Sequence, residues 1–480
     1  MNEKKNSGEQ DDTYLSRHSR KTYLSFGMYQ FTWTIIVSSQ NLFLFFFYHT
    51  VLGLEPWLIF LATAITTVWA SLNDPIIGFL TDRNFRWTRK WGRRFPWIVV
   101  GAIPWALSFI LFFAPPNIDP AINPAPVFLW LIMALLVTDT FMTLADVNVS
   151  TLRADKFRSV TERRKYSGYF APLDMLAQVV GMTLPPLLVS FATGKAGYFI
   201  MAILVGVIAL IFALLFLPGA REDNIIIERY YSRDYKRMNI FKGVWEAIKQ
   251  RSYLAFIISY TSFSVATTIM TAMVIYVTTF LLRTSADIMT VLLALFLIGA
   301  LISVPLWLKL VKKFNDSKKV YTFGSFILCI ALIPLSFFQS LIDLSIFMFI
   351  AGLAIGSIWT LGIPVILSNV QDDYVVRTGK NQKGVLIGTW AIFGLVTAFI
   401  DELIISTVFG ITGFAAGYDT YEKLITAVSN IEPILWGIRF LLGVIPMLIL
   451  LVGTITFWKF FPLDHQQVLK NREKLKELGF

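Results

Sequence analysis

The chain is a succession of long apolar stretches separated by short polar ones. Within the stretches, hydrophobic residues neither alternate nor keep to one stripe. They run on for the roughly 20 residues that a helix needs to cross the hydrocarbon core. The pattern predicts twelve helices, near 23–48, 56–81, 97–115, 126–152, 168–191, 197–218, 252–282, 287–311, 320–339, 343–369, 384–410 and 433–460. Segments longer than a span imply tilt, or helix that continues past the bilayer. A transmembrane barrel would show short alternating strands instead, and that reading is set aside.

The polar interruptions differ in charge. The second-to-third loop carries Arg83, Arg86, Arg89, Lys90, Arg93 and Arg94. The fourth-to-fifth carries Lys156, Arg158, Arg163, Arg164 and Lys165. Lys312, Lys313, Lys318 and Lys319 follow the eighth segment, and Arg377, Lys380 and Lys383 follow the tenth. The alternate loops hold only Lys195, Arg283 and Lys423. Positive loops stay on the cytoplasmic side, so both termini are expected there, in a multi-pass protein of the plasma membrane.

The longest charged interruption, 219–251, divides the chain. The organisation expected is a cytoplasmic tail over 1–22, a six-helix bundle over 23–218, a cytoplasmic loop over 219–251, a second bundle over 252–461 and a cytoplasmic tail over 462–480. Residues 240–248 read as an amphipathic helix at the inner surface, with a solvated linker as the alternative for the rest of the loop. A weak internal repeat supports the division. Pro75 is followed by Asp82-Arg83 and a basic loop, and Pro305 by Lys312-Lys313, Asp316 and another basic run. Parallel six-helix halves describe an all-α membrane protein of the major facilitator fold.

Composition agrees with a membrane protein. Hydrophobic residues make up 56% of the 480 and charged residues 15%, too few for the surface of a soluble protein of this length. The net charge of +11 sits in loops of one side, which fits anionic headgroups rather than nucleic acid. Cys329 is the sole cysteine, so no disulfide forms within the chain. His18, His49 and His465 have no metal-ligand spacing. No nucleophile–base pair and no metal set is found, so an enzyme is not expected, nor a cofactor. The polar N-terminal stretch has no apolar core of a cleaved signal peptide. A monomer is expected.

Ionisable groups inside apolar helices are costly, and they mark function or a paired structural site. Asp74, beside Asn73 in the second segment, is a candidate for cation coupling; a salt bridge to Arg153 or to the basic loop is the structural alternative. Asp139 and Asp146 are seven residues apart and share one helix face. That face suits a cavity lining and makes both candidates for substrate contact. Gln40 and Asn41, after Ser38-Ser39 in the first segment, can read hydroxyl groups or hold helices together. Trp33 and Trp390 can offer an aromatic face to a sugar ring, or simply pack. Arg153 and Asp174 read as a gate or a helix-end salt bridge rather than substrate contacts. Asp401 and Glu402 read as mouth residues that pair with Arg283 or Lys423. Phe43 to Phe47 is a lipid-facing or packing run. Asp82, Arg83, Arg93, Arg94, Asp372, Asp373 and Arg377 are candidate gates that pair and release between states, with a purely topogenic role as the alternative.

Three separated motifs carry a family resemblance. They are Asn73-Asp74-Pro75-Ile76-Ile77-Gly78 with Trp91-Gly92-Arg93-Arg94-Phe95-Pro96-Trp97; Asp146 with Glu162-Arg163-Arg164; and Asp372-Asp373-Tyr374 with Arg377-Thr378-Gly379-Lys380 and Lys383-Gly384. Together they resemble the glycoside–pentoside–hexuronide:cation symporters, whose best-known member is the melibiose carrier. The Arg-Lys-Trp-Gly-Arg-Arg-Phe-Pro stretch is also similar to plant sucrose carriers.

The resemblance implies alternating access, a sugar substrate and symport with a cation. It gives Asp146 the place of an aspartate that contacts sugar and neighbours the cation. Other family positions are changed. A second helix-2 carboxylate, one turn before Asp74, falls at Ala70. The helix-1 sugar-binding aspartate falls near Thr34, the helix-11 lysine near Leu395 and the helix-5 arginine near Ala171. A lone carboxylate with Asn73 is a thin ligand set for Na+, so H+ is the expected coupling ion, with Na+ second and uncoupled facilitation a further possibility. The expected function is H+-driven symport of a glycoside or oligosaccharide. The alternatives are a carrier of lysolipids or other amphiphiles, and a non-transporting sensor or scaffold.

Overall fold

The computed structural model describes residues 18–83, 85–157, 160–224, 226–227, 245, 247–379 and 384–477. Among these, twelve helices are long and apolar enough to cross a membrane. They are α1 (Arg20–Leu52), α2 (Pro56–Thr81), α3 (Phe95–Phe112), α4 (Ala125–Lys156), α5 (Val160–Val189), α6 (Gly194–Ala220), α7 (Arg251–Leu281), α8 (Ala286–Phe314), α9 (Ser317–Ser336), α10 (Leu341–Thr378), α11 (Gly384–Thr412) and α12 (Glu432–Phe460). A terminal helix, α13 (His465–Glu477), follows. A lipid-immersed backbone must satisfy its own polar groups, and continuous helices do so. The chain is an all-α, multi-pass integral membrane protein.

Several helices outrun the apolar windows. α5 begins at Val160 rather than 168, and α10 runs to Thr378 rather than 369. Polar first and last turns are invisible to hydropathy, yet they stay helical where they have partners. Pro75 and Pro305, the repeat markers, lie inside α2 and α8. Most of the expected 240–248 helix, with Arg158, Lys380 and Lys383, lies outside the described residues.

By contact the chain forms two units, and the segment 41–67 groups with the second of them. One holds α1 as far as Gln40 and α2 from Val68, with α3 to α6. The other holds 41–67 with α7 to α12. In the first unit, Gly101 of α3 is pressed on the α4 backbone, where a Cβ would lie 2.5 Å from the Ala145 nitrogen. That close approach fixes the register of α4, on which the site depends.

The basic hairpin of this unit is built around Glu222. Its carboxylate accepts the backbone N–H groups of Arg93 (2.8 Å) and Arg94 at the start of α3. Gly92 has φ +90°, and a Cβ there would collide with Glu222. Burial pushes the Glu222 carboxyl above its ordinary value, against the lowering effect of these N–H groups and of Arg94. The Arg94 guanidinium is buried and reaches Thr81 (3.0 Å), Asn148 (3.1 Å) and Asp82. Nearby, His18 bridges Glu162 of α5 (2.9 Å) and Asp223 (2.8 Å). Burial raises the Asp223 carboxyl, but His18 and Lys156 outweigh it and the net shift is downward.

In the second unit, Phe43, Phe46 and Phe47 are buried, so this run packs rather than facing lipid. His49 sits among Phe45, Phe409 and Phe414, with its ring nitrogens at Tyr276 Oη (3.1 Å) and the Phe414 carbonyl (3.2 Å).

Candidate functional site

α4 presents a polar stripe at Asp139, Thr143, Asp146, Ser150 and Arg153. The steps of three or four residues keep one face of a helix. From Asp139 to Arg153 the stripe extends about 21 Å at about 1.5 Å per residue. An unbroken helix holds it, with proline only in the first turn.

At the Asp139 end the stripe meets α2. Thr143 Oγ1 donates to Asp74 Oδ1 at 2.9 Å. Asn73 Nδ2 donates to Asp139 Oδ2 at 3.3 Å. Asp74 acts electrostatically on both Asp139 and Asp146. Among the described residues Asp74 pairs with no arginine, so the salt bridge to Arg153 does not form. Nor is it a lone carboxylate: Asp139 supplies a second one from the facing helix, while Ala70 is buried one turn earlier on α2. Carboxylates with amide and hydroxyl oxygens are the donors that hard cations take. Among the described residues no three His, Cys, Asp or Glu form a metal-binding group.

At the other end a cavity of about 260 Å³ opens within the first unit. α4 gives it Asp146, Val149, Ser150 and Arg153; α1 gives Phe26, Tyr29, Gln30 and Trp33; α5 gives Tyr166 and Phe170. Tyr29 Oη donates to Asp146 Oδ1 at 3.3 Å. Arg153 acts on Asp146 and on Tyr166, yet no ion pair closes between Arg153 and Asp146. The wall is therefore aromatic, with one acid and one base held apart.

The expected substrate residues separate on this frame. Asp146 and Trp33 line the cavity; Asp139 lies beside Asn73 instead. Gln40 and Asn41 fall outside the lining, and Ser39 is spent on the Ile35 carbonyl at 2.6 Å. Trp390 belongs to the second unit and packs on Phe256 and Tyr260, at 5.9 and 4.6 Å between ring centroids. Gln30 was not singled out from the sequence, although Phe26 and Gln30 share a helix face with Trp33.

The expected gates behave differently from one another. Asp82, Arg93 and Arg94 associate within one unit, with Arg93 4.0 Å from Asp82. Arg83 lies over the Phe79 ring at 4.6 Å. Asp373 accepts from Gln250 (2.9 Å), Ser252 (2.7 Å) and Asn471 of α13 (3.2 Å), tying α7, α10 and α13 together. Asp372 is half-buried beside it, and Arg377 is exposed in the last turn of α10. Arg153 and Asp174 form no salt bridge; Asp174 faces the side chains of Gln30 and Gln178. Among the described residues Asp401 and Glu402 do not pair with the basic residues expected of them. Arg283 lies over Tyr421 at 3.7 Å and Lys423 bridges Asp419 at 2.7 Å.

The fold has solved counterparts. The nucleoside transporter NupG overlays with a TM-score of 0.57 at 11% identity, covering 92% of this chain and 98% of that one. The D-xylose–proton symporter gives 0.57 at 14% identity, over 92% and 97%.

By sequence, the chain is similar to the sodium-dependent lysophosphatidylcholine symporter 1-A of Danio rerio, 22% identical over 94% of this chain and 86% of that protein. The mouse sodium-dependent lysophosphatidylcholine symporter 1 is 21% identical over 85% and 79%. The sphingosine-1-phosphate transporter of Xenopus tropicalis is 22% identical over 89% and 84%. These relatives are transporters, not enzymes, and their names give lysolipids rather than sugars. The likeness to melibiose-type carriers thus holds at the level of the superfamily. Matched over residues 25–465, this chain, a secondary transporter of the major facilitator superfamily, belongs to the MFS/sugar transport protein family.

Proposed function

We propose that the protein is a sodium-driven symporter of a lysolipid-type amphiphile, working by alternating access. The observation that carries the reading is the α4 stripe, which has an oxygen-rich cluster at one end and a mixed-charge aromatic cavity at the other. Asp74, Asp139, Asn73 and Thr143 would take the cation. The ligand set that the sequence left thin gains its second carboxylate from α4, which removes the main reason to prefer H+. The cavity would take the polar head of the substrate. A sugar site needs many neutral donors and acceptors for hydroxyl groups, whereas this wall has five aromatic rings and only Gln30 and Ser150 as neutral amide or aliphatic hydroxyl groups. Thr34, at the sugar-binding family position, is buried and engaged by Gln30 at 3.3 Å. The names of the relatives point the same way.

The test is uptake into proteoliposomes from a panel of lysophosphatidylcholine, lysophosphatidate, melibiose and sucrose, under separate Na+ and pH gradients. Na+-driven accumulation of a lysolipid is expected. Accumulation of a glycoside, or a pH gradient that works as well as Na+, rejects the reading. The charge bias of the loops further supports a cytoplasmic position for both termini. Tags at Gly8 and Leu478 should be protected in intact cells, and one at Asn117 labelled from outside.

A further inference from the structure

Asp146 and Arg153 sit two helical turns apart on one face of α4, on the wall of one cavity, and do not close on each other. Opposite charges on one flexible surface ordinarily find each other. Here the intervening wall keeps them apart, with Tyr29 holding the carboxylate and Tyr166 beside the guanidinium. The wall therefore offers a negative point at Tyr29 and a positive point at Tyr166, with no net charge between them. A headgroup carrying one charge alone would satisfy one point and leave the other facing a like charge or nothing. A headgroup carrying both satisfies both.

We propose that Arg153 and Asp146 are the headgroup-selecting residues, and that together they take a zwitterionic phosphoester with its phosphate at Arg153 and its ammonium at Asp146. This rests on the amphiphile reading above and deepens it. The order follows from chemistry. A guanidinium is a planar fork that matches phosphate oxygens with two parallel hydrogen bonds. Tyr29 stands at Asp146 and Trp33 lines the same cavity; aromatic faces attract an ammonium, above all one that has lost its N–H donors to methyl groups. A trimethylammonium asks for no hydrogen-bond acceptors, which this aromatic wall scarcely offers; a primary ammonium asks for three. The site should thus prefer choline-type over ethanolamine-type headgroups, and both over lysophosphatidate, whose phosphate has no cation to set against Asp146. Arg153 is the cavity's one basic residue, and it comes from α4 rather than from the Ala171 position on α5.

The experiment is competition against a fluorescent lysophosphatidylcholine on purified protein in nanodiscs. The competitors are lysophosphatidylcholine, lysophosphatidylethanolamine, lysophosphatidate and monoacylglycerol of one chain length. The wild type should rank them in that order for the first three. Arg153→Gln should weaken all three phosphoesters roughly ten-fold or more, the scale of losing a charged hydrogen-bond partner, and leave monoacylglycerol unchanged. Arg153→Lys, which keeps the charge but not the fork, should fall between. Asp146→Asn should reverse the order, with lysophosphatidate binding better than lysophosphatidylcholine. Melting curves matching the wild type exclude misfolding. Wild-type binding of lysolipids with equal loss for all ligands, or no change, in the two variants overturns this proposal and leaves the transport reading standing. Failure of the wild type to bind any lysolipid overturns both.

Discussion

α4 and α10 are the fourth helices of their halves, 32 and 38 residues long, and they have been put to opposite uses. α4 is α-helical throughout and carries Asp139, Asp146 and Arg153 along one face. α10 has no charged residue between Asp343 and Asp372. Its interruption is geometric: after Leu361 the backbone loosens into a π-helical turn over Gly362–Leu367, around Pro364, and resumes at Ser368. Charges that must meet partners on neighbouring helices need a rigid register, which an unbroken helix gives. A π-turn with proline cannot give it, but can absorb a bend. Of these two corresponding helices, only α4 carries a charged stripe through its apolar length.

The largest effect expected of breaking this asymmetry is at Asp74. Asp74→Asn should abolish Na+-driven accumulation in proteoliposomes while substrate exchange persists. Undiminished accumulation would remove Asp74 from coupling. Next is Asp139, whose role depends on standing in for the missing carboxylate at Ala70. Asp139→Ala should raise the Na+ concentration for half-maximal uptake about ten-fold or more, the scale of one lost charged ligand. Adding Ala70→Asp should restore much of the loss, because both positions face Asn73 and Asp74. A double variant no better than the single one would sever this link.

A smaller pair of changes sets α4 against α10 directly. Thr143→Ala deletes the hydroxyl that donates to Asp74 and should cost several-fold in Na+ affinity, about 1 kcal/mol. Ser357→Ala deletes a buried hydroxyl of α10 that bonds only its own helix, at the Ala354 carbonyl (2.9 Å). Na+ affinity should not change. Equal effects would mean that the second half also carries the ion.

The smallest effect expected is on stability, at the polar end of the first unit. The Asp223 carboxyl is held below its ordinary value, so its stabilisation is complete above the ordinary carboxylate range. It is lost as pH falls through the lowered value of the folded state. The melting temperature of Asp223→Asn should accordingly fall less steeply than that of the wild type on acidification below about pH 4. Parallel curves would show that the His18 bridge contributes nothing.

How far the sequence could lead is visible in particular residues. The twelve helices were legible because a lipid span leaves only one pattern, a long apolar run. Asp74, Asp146 and Trp33 were legible because polar and aromatic groups stand out in such runs. Thr143 was not, since threonine is common in membrane helices and its partner lies on another helix. The partner of Asp74 depends on the rotation of α4 against α2, which is set by packing between helices and not by local sequence. Trp390 and Asn41 fall outside the cavity lining for the same reason: a helix face can be read from spacing, but not which neighbour it meets. The Arg94 pin and the His18 bridge use residues 128 and 205 positions apart, at Glu222 and Asp223, beyond any local pattern.

The two ends of the α4 stripe are proposed to hold an ion and a headgroup that favour each other. Thermodynamic linkage makes that claim reciprocal: each ligand must tighten the other by the same factor. The direct measurement is calorimetric binding of Na+ and of lysophosphatidylcholine to the purified protein in nanodiscs, each with and without the other. The account predicts equal enhancement factors of about ten in both directions, an ordinary coupling energy of 1–3 kcal/mol, and a factor of one in Asp139→Ala. Lysolipid binding that is indifferent to Na+ in the wild type would contradict it.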